Sequence, residues 1–310
     1  MGNGAMSALM AAVALSGCSG LTQMQDTVSK FDEATHAVAS DQMTFLRQVQ
    51  VADCANQFYT AALGFATKQT DSLSLAGRCD PTILTNEQIL VRQRLVDTLT
   101  IYADKIQALA TSDTNKTLDR NAQSLAGKLN ALAKSRGLSG AAPVAEGVET
   151  AIVAISEMAL DQRRFTDVRQ AARAMQPHVT KLVGALQGEN VLFAEGMASK
   201  TEQLEIQLHL ALARARDDQG PRSFLDVVAA RDIFRSANVL GGSPGAASGT
   251  AGHDADADPL NAAKQVNAAL DAVVNANDAL ANAGTGGAVA AVNDLVVRAR
   301  HAKDILSALR

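Results

Sequence analysis

For its first eighty residues the chain contains no proline, and its aliphatic side chains return at steps of three and four. Leu21, Met24, Val28, Phe31, Thr35 and Val38 follow this rhythm, and Met43, Leu46, Val49 and Phe58 continue it. Such spacing lays one apolar stripe along a helix, so it predicts one long amphipathic helix ahead of Pro81. The same rhythm recurs downstream in Leu90, Val91, Leu95, Leu99, Tyr102, Ile106 and Leu109. It returns in Ile152, Ile155, Met158, Phe165, Val168, Met175, Val179 and Leu182. Of the 310 residues 47% are hydrophobic but only 3% aromatic, without a tryptophan. The apolar content is thus small and aliphatic, which suits close-packed helices better than a sandwich or barrel. The expected fold class is all-α: an elongated multi-helix bundle of long antiparallel helices, coiled-coil-like, with a C-terminal helical hairpin.

Punctuation in the sequence divides these helices. DSLSLAGRCDP (71–81) has loop composition, and Thr85-Asn86-Glu87-Gln88 has the form of a capping box opening the next helix. A helix is expected over about 113–135, then one from Glu146 to Gln187 kinked at Pro177, with another starting near Glu189. Leu204, Ile206, Leu208, Leu210 and Leu212 alternate as a strand would. Leucine is not β-branched, however, and no second strand-like run exists to pair with this one, so helix is expected here too. A further helix should carry Phe224, Val228, Ile233 and Phe234. GGSPGAASGTAGHDADAD (241–258) reads as a flexible linker. Beyond it, two arms joined by Gly284-Thr285-Gly286-Gly287 form a hairpin too small for its own core, expected to dock on the bundle. The organisation is therefore 1–17 leader, 18–240 bundle, 241–258 linker and 259–310 hairpin.

The N-terminus carries the most specific signal. Residues 1–17 have no charged side chain, and Ala5–Leu15 is an apolar run of signal-peptide length, short for a bilayer span. Leu15-Ser16-Gly17-Cys18 follows, and this resembles the lipobox of bacterial lipoproteins, although no Lys or Arg precedes the apolar run as that family has it. The resemblance covers about twenty residues. It implies cleavage before Cys18, acylation of its thiol, a membrane partner reached through that lipid, and an oxidising compartment. Ser19 stands where an aspartate would imply inner-membrane retention, which favours the outer membrane. In that compartment the two remaining cysteines, Cys54 and Cys79, are expected to form a disulfide, with two buried free thiols as the alternative.

Several motifs that resemble chemistry are better read as structure. Gly241-Gly242-Ser243-Pro244-Gly245 fits a nucleophile elbow but lies in the linker, without the strand and helix that motif needs. His253, Asp254, Asp256 and Asp258 are weak cation candidates, because Pro259 and Gln265 occupy the positions where a calcium loop needs Gly and Glu. The five histidines read as scattered surface or boundary residues. Arg163, Arg164, Arg169 and Arg173 form a charged face interleaved with Asp161 and Asp167, either solvated or a docking face for an anionic partner. The net charge of −4 and the lack of any Lys/Arg block argue against nucleic-acid binding. No catalytic constellation, metal centre or cofactor is predicted. The expected role is non-catalytic binding or scaffolding with another envelope protein. The alternative is a ligand- or lipid-binding helical module, with an enzyme or a toxin-immunity protein ranking lower.

Overall fold

The computed structural model describes residues 5–66, 81–111, 154, 168–218 and 259–308. Five helices account for almost all of them: α1 (Ala5–Ala66), α2 (Asn86–Thr111), α3 (Val168–Asp218), α4 (Pro259–Asn282) and α5 (Thr285–Ala308). No strand occurs among the described residues. The chain is an all-α bundle, as the aliphatic periodicity predicts. The expected helix over 113–135 and the one carrying Phe224, Val228, Ile233 and Phe234 lie outside the described residues, as do the 241–258 linker and, residue 154 apart, the part of the Glu146–Gln187 helix before Val168.

Two compact units are built from these helices. The first comprises Met1–Ser40, Arg94–Leu186 and Ala268–Arg300, and the second Asp41–Gln93, Gln187–Asn267 and His301–Arg310. In the first unit, Phe31 of α1 and Tyr102 of α2, both fully buried, meet edge to face with centroids 6.3 Å apart. Leu99, Ile106, Val179, Leu182, Leu270 and Leu295 complete its core. Each such side chain contributes about 1.5–3 kcal/mol on leaving water, and the aromatic pair adds roughly 0.5–1.5 kcal/mol. Buried alanines at 171, 172, 269, 272 and 276 leave little side chain between α3 and α4 and their neighbours, so helices can approach closely. In the second unit Leu46, Leu84 and Met197 mark the corresponding interior, where polar side chains take a larger share.

The helix ends follow the expected chemistry. The Thr85 amide donates to Gln88 Oε1 at 2.9 Å, and the Gln88 amide donates to Thr85 Oγ1 at 3.2 Å, a reciprocal capping box. At the hairpin, Gly284 caps α5 by accepting from the Ala288 amide at 3.1 Å. The turn is tighter than the GTGG run suggests, because Thr285 already belongs to α5. Gly287 is required there: a Cβ on it would stand 2.8 Å from the Ala283 Cβ.

Three expectations are corrected. No break occurs near Gly188, since α3 runs unbroken from Val168 to Asp218 and contains Pro177 as well. The glycine is tolerated because helical hydrogen bonds on both sides of it continue, and proline removes only one donor from a 51-residue helix. The alternating leucines of 204–212 lie inside this helix, as expected. Phe58 and Leu90 do not join the buried stripes, being 48% and 54% exposed. Asp53 and Asn56 take the inward positions of α1 instead, which turns Phe58 outward, and Val91 rather than Leu90 faces inward on α2.

Candidate functional site

Most of the buried polar groups hold helices to one another. In the first unit Tyr102 Oη donates to Asn277 Oδ1, and the Asn277 amide donates to Gln176 Oε1 and, at 3.3 Å, to the Ala172 carbonyl. Burial pushes the Tyr102 phenol well above its ordinary pKa, so it stays a donor. Arg173 directs its guanidinium to the end of α4, donating to the Ala281 carbonyl at 3.0 Å and to Asn282 Oδ1 at 3.3 Å. A cation at a helix C-terminus satisfies orphan carbonyls and complements the helix dipole. Arg173 thus has a structural post rather than a free docking one; Arg169 is exposed on α3, and Arg163 and Arg164 lie outside the described residues.

The second unit contains an amide cluster and a clamped carboxylate. Gln42 and Asn190 exchange side-chain hydrogen bonds at 2.7 and 2.8 Å, and Asn190 also donates to Asn267 Oδ1 at 2.8 Å. Asp53, whose side chain is fully buried, accepts from Lys200 Nζ at 2.6 Å, from the Ile83 amide at 2.9 Å and from the Thr82 amide. Burial opposes its charge, but Lys200 and the two amides outweigh burial and hold the carboxyl below the usual range. Arg92 pairs with Glu189 at 2.7 Å, donates to the Gln88 carbonyl and lies 5.0 Å over the Phe193 ring. These clusters fix register, and of the Arg92 guanidinium only the buried Nε has no hydrogen-bond partner.

One cluster differs. Asp32 and His36 stand four residues apart on α1, hence on one face, and Asp104 of α2 lies opposite. The neighbouring Phe31–Tyr102 contact sets the register that brings them together. His36 Nε2 is 2.9 Å from Asp104 Oδ1 and 3.7 Å from Asp32 Oδ1. Asp32 is only 8% exposed and its Oδ1 has no hydrogen-bond partner, whereas His36 and Asp104 reach solvent. Burial first, and then the Asp104 and Glu33 charges and a hydrogen bond shared with the Asp104 carboxyl, raise the Asp32 carboxyl to about 6, with His36 opposing. The hydrogen bond to Asp104 raises the His36 imidazole above its ordinary value, against burial.

These three side chains offer one nitrogen and two carboxylate oxygens, all within 4.8 Å of one another, the one ligand-type group of this kind among the described residues. Comparison with protein families, curated proteins and solved structures finds no match. The site therefore has to be read from its own chemistry. The sequence reading passed it over by treating His36 as a boundary residue; the four-residue Asp32–His36 spacing was a visible signal, but the contribution of Asp104 was not. Cys18 lies in α1, and Cys54 is half-buried in the same helix. Cys79, His253, Asp254, Asp256 and Ser243 lie outside the described residues, as does Asp258.

Proposed function

We propose that this chain is an exported, lipid-anchored helical protein with a non-catalytic binding or scaffolding role in the cell envelope. The observation that carries the reading is Leu15-Ser16-Gly17-Cys18 placed directly behind an apolar run. Among the described residues no helix is long and apolar enough to cross a membrane, so on this reading attachment rests on the acyl chains at Cys18. Support for a binding role comes from the second unit's apolar side chains in solvent. Leu192, Ile206 and Leu210 are 62%, 54% and 55% exposed and fall on one side of α3 by its 3.6-residue repeat. The Cys54–Cys79 disulfide belongs to the same proposal, because an exported chain folds in an oxidising compartment.

Replacing the anchor tests the reading. Expressed in a Gram-negative host, the wild-type chain should partition with membranes and incorporate labelled palmitate, and Cys18→Ala should do neither. Equal partitioning of both forms would contradict it. Peptide mapping without reductant should recover the peptides of Cys54 and Cys79 as one species; recovery of both as free thiols would remove the disulfide.

A further inference from the structure

We propose that Asp32, His36 and Asp104 bind a Zn2+ ion, supplying three ligands and leaving a fourth position to water. The proposal is independent of the cellular address above.

The spacing of the ligand atoms fits such an ion. Zinc holds imidazole nitrogen and carboxylate oxygen at about 2.0–2.2 Å, so two ligands of a tetrahedral ion stand roughly 3.3 Å apart. The imidazole nitrogen here is 2.9 Å from one carboxylate oxygen and 3.7 Å from the other, on either side of that value. The three ligand atoms all lie within 4.8 Å of one another, a spread that side-chain rotation can narrow.

A second and independent observation points into the same space. The Asp32 side chain is only 11% exposed, and its Oδ1, the oxygen nearest the imidazole, is buried with no hydrogen-bond donor. Leaving a buried carboxylate oxygen unpartnered is costly, and a cation between it and Nε2 supplies what is missing. The charge also balances: two carboxylates and a neutral imidazole around Zn2+ sum to zero.

The donor set selects the metal class. Calcium and magnesium prefer all-oxygen shells of six or more ligands, and a nitrogen in a three-residue set disfavours both. Zinc accepts mixed nitrogen and oxygen donors in low coordination and has no geometric demand from its d electrons. The exposed flank, where the His36 side chain is 45% exposed and that of Asp104 31%, gives water access to the fourth position.

The test uses the full chain without a histidine tag, stripped by chelator and titrated calorimetrically with ZnCl2. One ion per chain is expected, with affinity at least tenfold lower in His36→Gln and in Asp104→Asn, and no competition from excess Mg2+ or Ca2+. Co2+ in place of zinc should give the intense visible absorption of a low-coordinate site, lost in His36→Gln. Asp32→Asn alters a buried group and can unfold the chain; His36 and Asp104 are partly exposed, and unchanged circular dichroism in their variants keeps the test decisive. Absence of saturable uptake, affinity unchanged in both variants, or loss of binding in His253→Ala instead would each overturn the proposal.

Discussion

Two buried aspartates of the second unit have opposite electrostatic situations, and pH separates them. Asp53 is held below the ordinary carboxylate range by Lys200 and two backbone amides, against burial. Its folded pKa lies under its unfolded one, so its contribution is complete above about 3.9 and is lost as pH falls through the folded value. Asp53→Asn should cost about 2–4 kcal/mol in urea unfolding at pH 7, because it strands Lys200 and weakens the cap on residues 82 and 83. The penalty should shrink towards pH 2. Asp41 is the reverse case. Burial raises its carboxyl to about 6, with Lys303 opposing and Asp304 adding, and its Oδ2 has no hydrogen-bond partner. Its folded pKa exceeds its unfolded one, so stability falls as pH rises from about 4 to 6. Asp41→Asn should therefore stabilise the protein by roughly 1 kcal/mol at pH 7.5 and have little effect at pH 4, measured as unfolding midpoints. Destabilisation at pH 7.5 would show that Asp41 is paired after all.

At the level of the helix, two glycines predict effects of opposite sign. Gly188 lies inside α3 with open space where a Cβ would go, so Gly188→Ala should stabilise by about 0.5–1 kcal/mol through helix propensity alone. If the chain broke at Gly188, as the sequence reading expected, alanine there would destabilise. Gly287→Ala should lower the melting temperature, because its Cβ would meet that of Ala283 across the hairpin turn. These cases show what was legible in the sequence. Spacing gives helices readily, since a buried stripe must recur at 3.6 residues, and the Thr85–Gln88 box marks a helix start by chemistry local to four residues. Gly188 signals a break only when nothing else holds the helix, and here α3 continues through it. Phe58 was misplaced because apolar residues alone were counted as inward, while Asp53 and Asn56 occupy those positions with partners from α3. The candidate metal site was half legible for the same reason: Asp32 and His36 are local, but Asp104 joins them only through tertiary register.

For the whole molecule, the same five helices contribute to both units, and each unit carries its own polar wiring: Tyr102, Asn277 and Gln176 in one, Gln42, Asn190 and Asn267 in the other. Buried polar networks of this kind add modest net stability but penalise slipped registers, which matters where repetitive Ala- and Leu-rich faces would pack in more than one way. A lipid at Cys18 would place this bundle at a membrane surface, with the exposed leucines of α3 available to a partner. Membrane attachment depends on that cysteine. Intact-mass and N-terminal peptide analysis of the protein from native membranes examines it directly: the account predicts a chain beginning at Cys18 and carrying acyl groups on it. A chain that retains residues 1–17 with a free Cys18 thiol would contradict it.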